Sequence, residues 1–178
     1  MVNFLTIMLV NLVVGLVLLA LYFYKYVDGD AKKLASGFLV VGFLLTLTGL
    51  YVMMLWPLPG TYNIAFGEPA LYFGVLLFVA GLSFIFNWDL TGLSIAAFFA
   101  GVIAVVVGLR LISLEMTKEP MVSGVAFILT GTVGILTLPA YIMKEKTVIR
   151  YALIVVALIA AGMWAVTGFG AYWGHLAG

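Results

Sequence analysis

Long apolar runs separated by short polar breaks make up most of this chain. The first run extends from Asn3 to Tyr24, and Lys25 is the first basic residue of the sequence. A helix needs about 20 apolar residues to cross the hydrocarbon core of a bilayer, which is about 30 Å thick. We therefore predict an all-α integral membrane protein, a single transmembrane domain over residues 1–178 that is a bundle of about six helices. The expected helices span residues 3–24, 34–56, 69–88, 90–113, 121–143 and 151–173.

The composition supports a membrane protein and excludes nucleic-acid binding. Hydrophobic residues make up 66% of the chain and charged residues only 8%, whereas a soluble domain carries about 25% charged residues. The formal net charge of +1 provides no basic surface for nucleic acid. With no soluble domain or long loop, the expected partners are membrane lipids, a small solute or another membrane protein, including further copies of this chain.

Basic residues in the short loops predict the orientation, because positively charged loops stay on the cytoplasmic side. Loops 25–33, 87–90 and 144–150 share one side and carry six Lys and Arg residues. Loops 57–69 and 110–120 share the other side with both termini and carry two. We therefore predict a protein of the cell membrane with both termini non-cytoplasmic. The 87–90 turn has no basic residue, so a re-entrant unit formed by the third and fourth runs is the alternative.

The residues needed for most cofactors and catalytic motifs are missing. The chain has no cysteine and one histidine, His175, which excludes disulfides, thiolate metal sites, a haem held by two histidines and a His-Glu-x-x-His zinc site. It has no Gly-x-Ser-x-Gly elbow, P-loop or dinucleotide-binding fingerprint. We expect no cofactor and no metal. No catalytic motif identifies an enzyme, although membrane enzymes are not excluded by this alone.

Hydroxyl and amide side chains inside the apolar runs are candidates for a polar path. Ser123, Thr130 and Thr137 share one face of the fifth expected helix at 100° per residue. They could line a pathway, or their hydroxyls could bond to backbone carbonyls one turn back. Asn11 is the strongest polar residue at depth in the first helix, and it suits interhelical hydrogen bonding as well as a site.

A second candidate site lies on the side of the termini and centres on Arg110. This arginine is about 20 residues into the fourth run, which places it about 30 Å from the start of the helix, at the edge of the hydrocarbon layer. Glu68 or Glu115 could pair with it in bidentate geometry. The alternative is a helix-start acid at Glu68, which precedes a proline, and an arginine that extends to the interface without function. The expected ligand-binding cluster contains Glu68, Arg110, Glu115, His175, Tyr62 and Asn63.

A faint internal repeat links the second and third runs to the fourth and fifth. Residues 67–69, Gly-Glu-Pro, are similar to residues 118–120, Lys-Glu-Pro, and residues 49–51, Gly-Leu-Tyr, are similar to residues 108–110, Gly-Leu-Arg. The repeated unit would be a helical hairpin, as in transporters with parallel repeats. Unequal spacing and the frequency of these residue types favour chance as the explanation.

The stretch from Leu58 to Pro69, Leu-Pro-Gly-Thr-Tyr-Asn-Ile-Ala-Phe-Gly-Glu-Pro, is followed by an apolar helix that contains Gly74. It resembles a segment of a prokaryotic membrane-protein family catalogued as a domain of unknown function (number 981). The resemblance covers nearly the whole chain and implies a multipass membrane fold with no established activity. It brings no functional residues with it.

These observations leave three hypotheses for function. We favour a transporter or channel for a small solute or ion, because helices with small packing residues and no catalytic motif suit a conduit. This hypothesis predicts a continuous polar path from the Arg110 cluster along the hydroxyl face of the fifth helix. The alternatives are a membrane-embedded enzyme acting on lipid or a lipid-linked substrate, with a cleft near Arg110 and Glu68, and a structural subunit of a membrane complex.

Overall fold

A computed structural model describes residues 4–176 and consists, over that part of the chain, of helices and the turns between them. Six helical segments are long and apolar enough to cross a membrane. The expectation of an all-α six-helix bundle is therefore confirmed. The helices are α1 (Phe4–Leu21), α2 (Ala35–Leu55), α3 (Glu68–Phe86), α4 (Thr91–Ser113), α5 (Pro120–Ile142) and α6 (Thr147–Leu176).

Two π-helical turns extend the helices. The turn Tyr22–Tyr26 continues α1, and the turn Asn63–Gly67 precedes α3. A short 3-10 turn, Ala31–Leu34, leads into α2. π-Turns are rare and frequently mark functional sites. Both turns in this protein carry aromatic side chains that reach the interior of the bundle, as shown below.

The third and fourth runs form two complete helices rather than a re-entrant unit. Helix α3 ends at Phe86, and Asn87 follows in the left-handed conformation with φ of 54°. Helix α4 begins at Thr91 and its 23 residues extend about 35 Å at 1.5 Å per residue. The carboxylate of Asp89 accepts a 2.8 Å hydrogen bond from the backbone N–H of Thr91, which satisfies one of the free N–H groups at the start of α4.

The six helices form a closed ring. Each packs against its neighbours in chain order, and α6 returns to pack against α1. We call the end that carries loops 27–30, 87–90 and 143–146 the basic end. The opposite end, with loops 56–62 and 114–119 and both ends of the described chain, is the terminal end. A ring of this kind leaves an axis between the helices, and the candidate site lies on it.

The closest packing occurs within two helical hairpins. On α4, a Cβ added at Gly101 would lie 2.6 Å from the backbone nitrogen of Ile135, and one at Gly108 would lie 2.6 Å from the carbonyl oxygen of Gly124. Only glycine permits such an approach of two backbones. Helices α2 and α3 pack in the same way, with close backbone contacts at Gly42, Gly49, Gly74 and Gly81.

The two hairpins share the spacing of their tightly packed glycines but not the pairing. The α2–α3 hairpin has its tight glycines at 42 and 49 and at 74 and 81, each pair seven residues apart. The α4–α5 hairpin has them at 101 and 108 and at 124 and 131, with the same spacing. The partners of these glycines differ, however, because Gly42 lies against Gly74, whereas Gly101 lies against Gly131 and Gly108 against Gly124. The internal repeat therefore stays a prediction, and chance remains the explanation that the sequence favours.

The outward faces of the bundle are apolar. Val166 is 78% exposed and Phe99 62% exposed, and many other large hydrophobic side chains point away from the core. A soluble protein rarely exposes contiguous apolar surface on this scale, because burial of such surface drives folding in water. The molecule is a multipass membrane protein, and its apolar faces are suited to contact with lipid.

Candidate functional site: an aromatic axis through the bundle

Two cavities lie one behind the other on the axis of the ring. The larger has a volume of about 80 Å³ and lies toward the basic end; the smaller has a volume of about 40 Å³ and lies toward the terminal end. The ring of Phe73 lines both and separates them. All six helices contribute residues to the walls of the two cavities. The cavities therefore occupy the centre of the bundle rather than a single helix pair.

An aromatic cluster lies between the smaller cavity and a recess at the terminal end. Phe66, on the π-turn before α3, lines both spaces. Its ring stacks on Tyr62 at a centroid distance of 6.2 Å and meets Phe127 edge-on at 5.7 Å. Phe127 in turn meets Trp164 edge-on at 5.2 Å. We call Tyr62, Phe66, Phe127 and Trp164 the terminal-end cluster.

A second cluster lies between the larger cavity and a recess at the basic end. Tyr22, on the π-turn after α1, stacks on Phe84 of α3 at 5.1 Å, and both rings line cavity and recess. Phe84 meets Phe38 edge-on at 5.1 Å, and Tyr22 meets Phe23 at 5.0 Å. We call Tyr22, Phe23, Phe38 and Phe84 the basic-end cluster. Each π-turn thus contributes at least one ring to the cluster at its end of the axis, Tyr22 and Phe23 at the basic end and Phe66 at the terminal end.

The polar groups on the axis are few and are bonded within the protein. The Trp164 indole donates a 2.8 Å hydrogen bond to the Thr130 hydroxyl oxygen, and the Thr130 hydroxyl donates to the carbonyl of Ala126. Thr137 lines the larger cavity and donates to the carbonyl of Val133. The described residues that line the two cavities include no Asp, Glu, Lys, Arg or His.

The described side chains that face the axis do not form, in this conformation, the continuous polar path expected along α5. Thr130 and Thr137 do face the axis, but their hydroxyl protons bond to carbonyls one turn back. Ser123 lies nearer the terminal end, where its hydroxyl pairs with Thr117. Asn11 donates to the carbonyl of Ile7 and is absent from the walls of both cavities. Aromatic and aliphatic side chains, with single hydroxyl oxygens between them, line the axis instead.

In the described part of the chain, neither Glu68 nor Glu115 forms the ion pair that the sequence allows with Arg110. Among the described residues, the salt bridges join Asp28 to Lys144 and Arg150 and Asp30 to Lys33, all at the basic end. Arg110 is exposed near the end of α4 and approaches neither Glu68 nor Glu115 within ion-pair distance. The reason is that its side chain points out of the ring, away from the inward-facing Leu111.

The other members of the expected cluster are dispersed. Tyr62 and Glu115 line the terminal-end recess, and the Tyr62 hydroxyl donates to the carbonyl of Met116. Asn63 is fully buried and serves the chain turn: its amide donates to the carbonyls of Leu58 and Gly60, and its oxygen accepts from the Leu58 N–H. Glu68 and His175 are outside the walls of the cavities and of the two recesses. The structure therefore brings two of the six residues together in one recess.

Arg150 organises the basic end. Its Nε and Nη2 donate to the carbonyl oxygen of Phe23 at 3.2 and 2.8 Å. Its Nη1 donates to the carboxylate of Asp28 and to the carbonyl of Lys144, both at 3.2 Å. One side chain of α6 thereby binds the π-turn, the loop after it and the loop before α6. The planar guanidinium can bond to all three segments at once because its N–H donors have a fixed fork geometry.

Tyr141 connects the basic-end recess to the α3–α4 loop. Its hydroxyl accepts from the backbone N–H of Leu90 and donates to Asp89, both at 3.3 Å. The hydrogen bonds from Thr91, and to a smaller extent from Tyr141, lower the pKa of Asp89 below its ordinary value, because they favour the charged carboxylate. Asp89 is therefore ionised at neutral pH at the mouth of the axis.

Sequence reasoning missed the aromatic residues of the axis. Phe73, Phe84 and Trp164 lie in helix interiors, where large aromatic residues are also ordinary packing residues. A signal was present in the spacing on α3 and the turn before it: residues 66, 70, 73, 77, 80 and 84 follow one helical face, separated by three or four positions. Charge and hydroxyl content, which guided the sequence predictions, do not detect such a face.

Comparison with known proteins agrees with a membrane fold. A family model described as "Protein of unknown function (DUF981)" matches residues 1–178. No curated protein matches. A solved structure described as the Helicobacter pylori urea channel in a closed state is similar to this chain, with a TM-score of 0.78 and 16% identity, over 96% of this chain and 98% of that one. At this identity the similarity shows a shared fold.

Proposed function

This chain belongs to the DUF981 family, and we propose that it is a channel for small uncharged solutes that pass along the axis of the six-helix ring. The observation that carries the proposal is the row of spaces on one axis: a recess, an aromatic cluster, two cavities separated by Phe73, a second cluster and a second recess. In this conformation the two clusters close the row. Rotation of a few aromatic rings would connect it.

The absence of charge on the axis favours neutral solutes. An ion at membrane depth needs compensating charge or a ring of carbonyl dipoles. Over the described residues, the walls of both cavities offer aromatic faces, aliphatic groups and the hydroxyl oxygens of Ser94, Thr130 and Thr137. A small planar amide such as urea fits such walls, because its faces can stack on rings while its N–H groups donate to hydroxyl oxygens. The fold shared with a protein described as a urea channel supports testing urea first.

We further propose that the protein lies in the cell membrane with its basic end toward the cytoplasm. The support is the excess of Lys and Arg in the loops of that end. Because the chain has no cysteine, Lys146→Cys at the basic end and Gly174→Cys at the terminal end can each be labelled alone. In intact cells an impermeant maleimide should label Gly174→Cys and spare Lys146→Cys. The reverse pattern would contradict this orientation.

A matched pair of substitutions on α4 tests the channel itself. Ala97 lines the larger cavity, whereas the adjacent Ala96 is exposed on the outer face. Leucine at 97 would occupy most of a cavity of about 80 Å³, and leucine at 96 would face lipid. In proteoliposomes, urea-driven volume recovery followed by light scattering should be faster with the unsubstituted protein than in protein-free vesicles. It should fall toward the protein-free rate in Ala97→Leu and stay high in Ala96→Leu.

The outcomes separate the channel from its alternatives. Equal urea permeability with and without protein would refute the proposal. Equal loss in Ala96→Leu and Ala97→Leu would place the pathway outside the larger cavity. If vesicles with the protein develop a membrane potential across a potassium gradient, the protein conducts potassium ions. That result would contradict the proposal that the uncharged walls admit only neutral solutes. Self-association stays a prediction, and native mass spectrometry of the purified protein checks it.

A further inference from the structure

The basic-end cluster depends on the position of one backbone turn. Two of its four rings, Tyr22 and Phe23, belong to the π-turn after α1, while Phe38 and Phe84 belong to straight helices. Tyr22 is 5% exposed and Phe84 6% exposed, and their stacked rings lie between the larger cavity and the recess. Access to the cavity from this end therefore changes when the π-turn moves and stays fixed when it is held.

Arg150 holds this turn at its backbone. Two of its nitrogens bond to the carbonyl oxygen of Phe23, the residue next to Tyr22. Carbonyls near the end of a helix lack the later N–H groups that would satisfy them, so an arginine at this place replaces a helical hydrogen bond. The Arg150 side chain is 21% exposed and is oriented by Asp28, whose carboxylate also binds Lys144 at 3.5 Å.

The contact also lies at a junction between distant parts of the chain. Phe23 and Arg150 are 127 residues apart; Phe23 is on the π-turn that continues α1, Arg150 is on α6, and α1 and α6 are the two helices that close the ring. Any opening of the ring at this junction would separate them. The bonds to the Phe23 carbonyl resist that separation, because hydrogen bonds from a charged donor are stronger than those between neutral groups.

We infer that Arg150 is a positioning residue that keeps the basic end of the axis closed by anchoring the Phe23 carbonyl, and hence the Tyr22 ring, against Phe84. The inference rests on the proposed channel function and adds the location and the means of closure. When the anchor is released, the π-turn can relax toward an ordinary helix, which rotates Tyr22 off Phe84. The larger cavity then communicates with the basic-end recess.

Cysteine reporters in the two cavities test this inference without measuring transport. Ser94 lines the larger cavity and Ala70 lines the smaller one, and the chain has no other cysteine. In detergent, a water-soluble thiol reagent should label Ser94→Cys at least about tenfold faster when Arg150→Ala is added, the factor that corresponds to about 1.4 kcal/mol. Arg150→Lys, which keeps the charge but not the fork, should give an intermediate rate.

Two controls separate anchoring from general effects. Lys144→Gln removes the other cation bound to Asp28 but leaves the bonds to Phe23, so Ser94→Cys should stay protected. Ala70→Cys should stay protected in the Arg150→Ala background, because the terminal-end cluster and Phe73 are untouched. Faster labelling in Lys144→Gln would mean that charge at this end, rather than the anchor, controls access.

Three results would overturn the inference: no change in Ser94→Cys labelling with Arg150→Ala, equal acceleration of both reporters, or equal acceleration by Lys144→Gln. Urea flux in proteoliposomes is a separate readout. If flux is absent while Arg150→Ala exposes Ser94→Cys, the channel proposal fails and the anchor stands. If flux is present and labelling does not respond to Arg150, the channel stands and the anchor fails.

Discussion

Gly101→Ala should destabilise the protein because the α4–α5 hairpin has no room for one methyl group. The added Cβ would lie 2.6 Å from the backbone nitrogen of Ile135 and nearer still to the carbonyl oxygen of Gly131, whereas ordinary contact begins at 3.4 Å. Both obstacles are backbone, so the helices must separate by nearly 1 Å by this geometry. Overpacking of this kind costs about 1–3 kcal/mol, which corresponds to a fall in Tm of about 2–12 °C for a chain of this length.

Gly92 on the same helix is the matched control. A Cβ added there meets nothing within 4 Å, so Gly92→Ala should leave the Tm unchanged or raise it slightly, because alanine favours helix over glycine by up to about 1 kcal/mol. Thermal unfolding of the two variants in the same detergent gives the comparison. A Gly101→Ala variant as stable as Gly92→Ala would refute the argument that backbone contact between α4 and α5 requires glycine.

Two further predictions concern hydrogen bonds. Thr130→Val leaves the buried Trp164 N–H without its acceptor and should lower the free energy of unfolding by about 1 kcal/mol. A double-mutant cycle with Trp164→Phe, measured by denaturation in mixed micelles, gives the coupling energy of the two side chains. A coupling energy below about 0.3 kcal/mol would be indistinguishable from additivity and would contradict this prediction. The second prediction concerns Asp89, whose pKa the hydrogen bond from Thr91 lowers below the ordinary value of 3.8. The ionised Asp89 carboxylate therefore stabilises the fold above pH 3.8, and this stabilisation is lost as the pH falls through the lowered pKa. The Tm difference between the unsubstituted protein and Asp89→Ala should therefore hold at neutral pH and vanish in strong acid, and a difference that grows on acidification would contradict the sign.

The sequence was sufficient for the fold because the membrane restricts the choices. Apolar runs of helix-spanning length can satisfy their backbone polar groups in lipid only as helices or closed barrels. The runs and breaks around Lys25, Pro57 and Asp89 therefore predict helices with little ambiguity. The boundaries were less predictable: α6 begins at Thr147 instead of Tyr151, because the helix continues through the basic loop that carries Arg150.

The candidate site was less predictable for a physical reason. Charged and polar residues are the usual sequence signal for a functional site in a membrane protein, because they are costly in lipid and usually functional. Here the charges at the terminal end point outward, as Arg110 does, or line a recess, as Glu115 does. From the sequence, Arg150 is only a basic residue of a predicted loop. Its bonds to Phe23 join two positions that no local sequence pattern connects.

The glycine contacts and the aromatic axis follow from the same division of helix faces. On α3, Gly74 and Gly81 pack against α2, while Phe73, Ala80 and Phe84 line the axis. Because consecutive residues are 100° apart on a helix, the glycine stripe and the axis stripe of α3 are adjacent.

Helix α5 repeats this arrangement. Gly124 and Gly131 pack against α4, and the axis stripe runs through positions 127, 130, 134, 137 and 141. Two of the three hydroxyl residues recognised in the sequence, Thr130 and Thr137, lie in the middle of that stripe, and the rings of Phe127 and Tyr141 are its two ends. Close glycine packing on one face makes each hairpin rigid. The parts of the axis that we expect to move are therefore the aromatic rings and the π-turns that carry some of them. This is why we expect the channel to be closed and opened at Tyr22 and Phe66 rather than by separation of the hairpins.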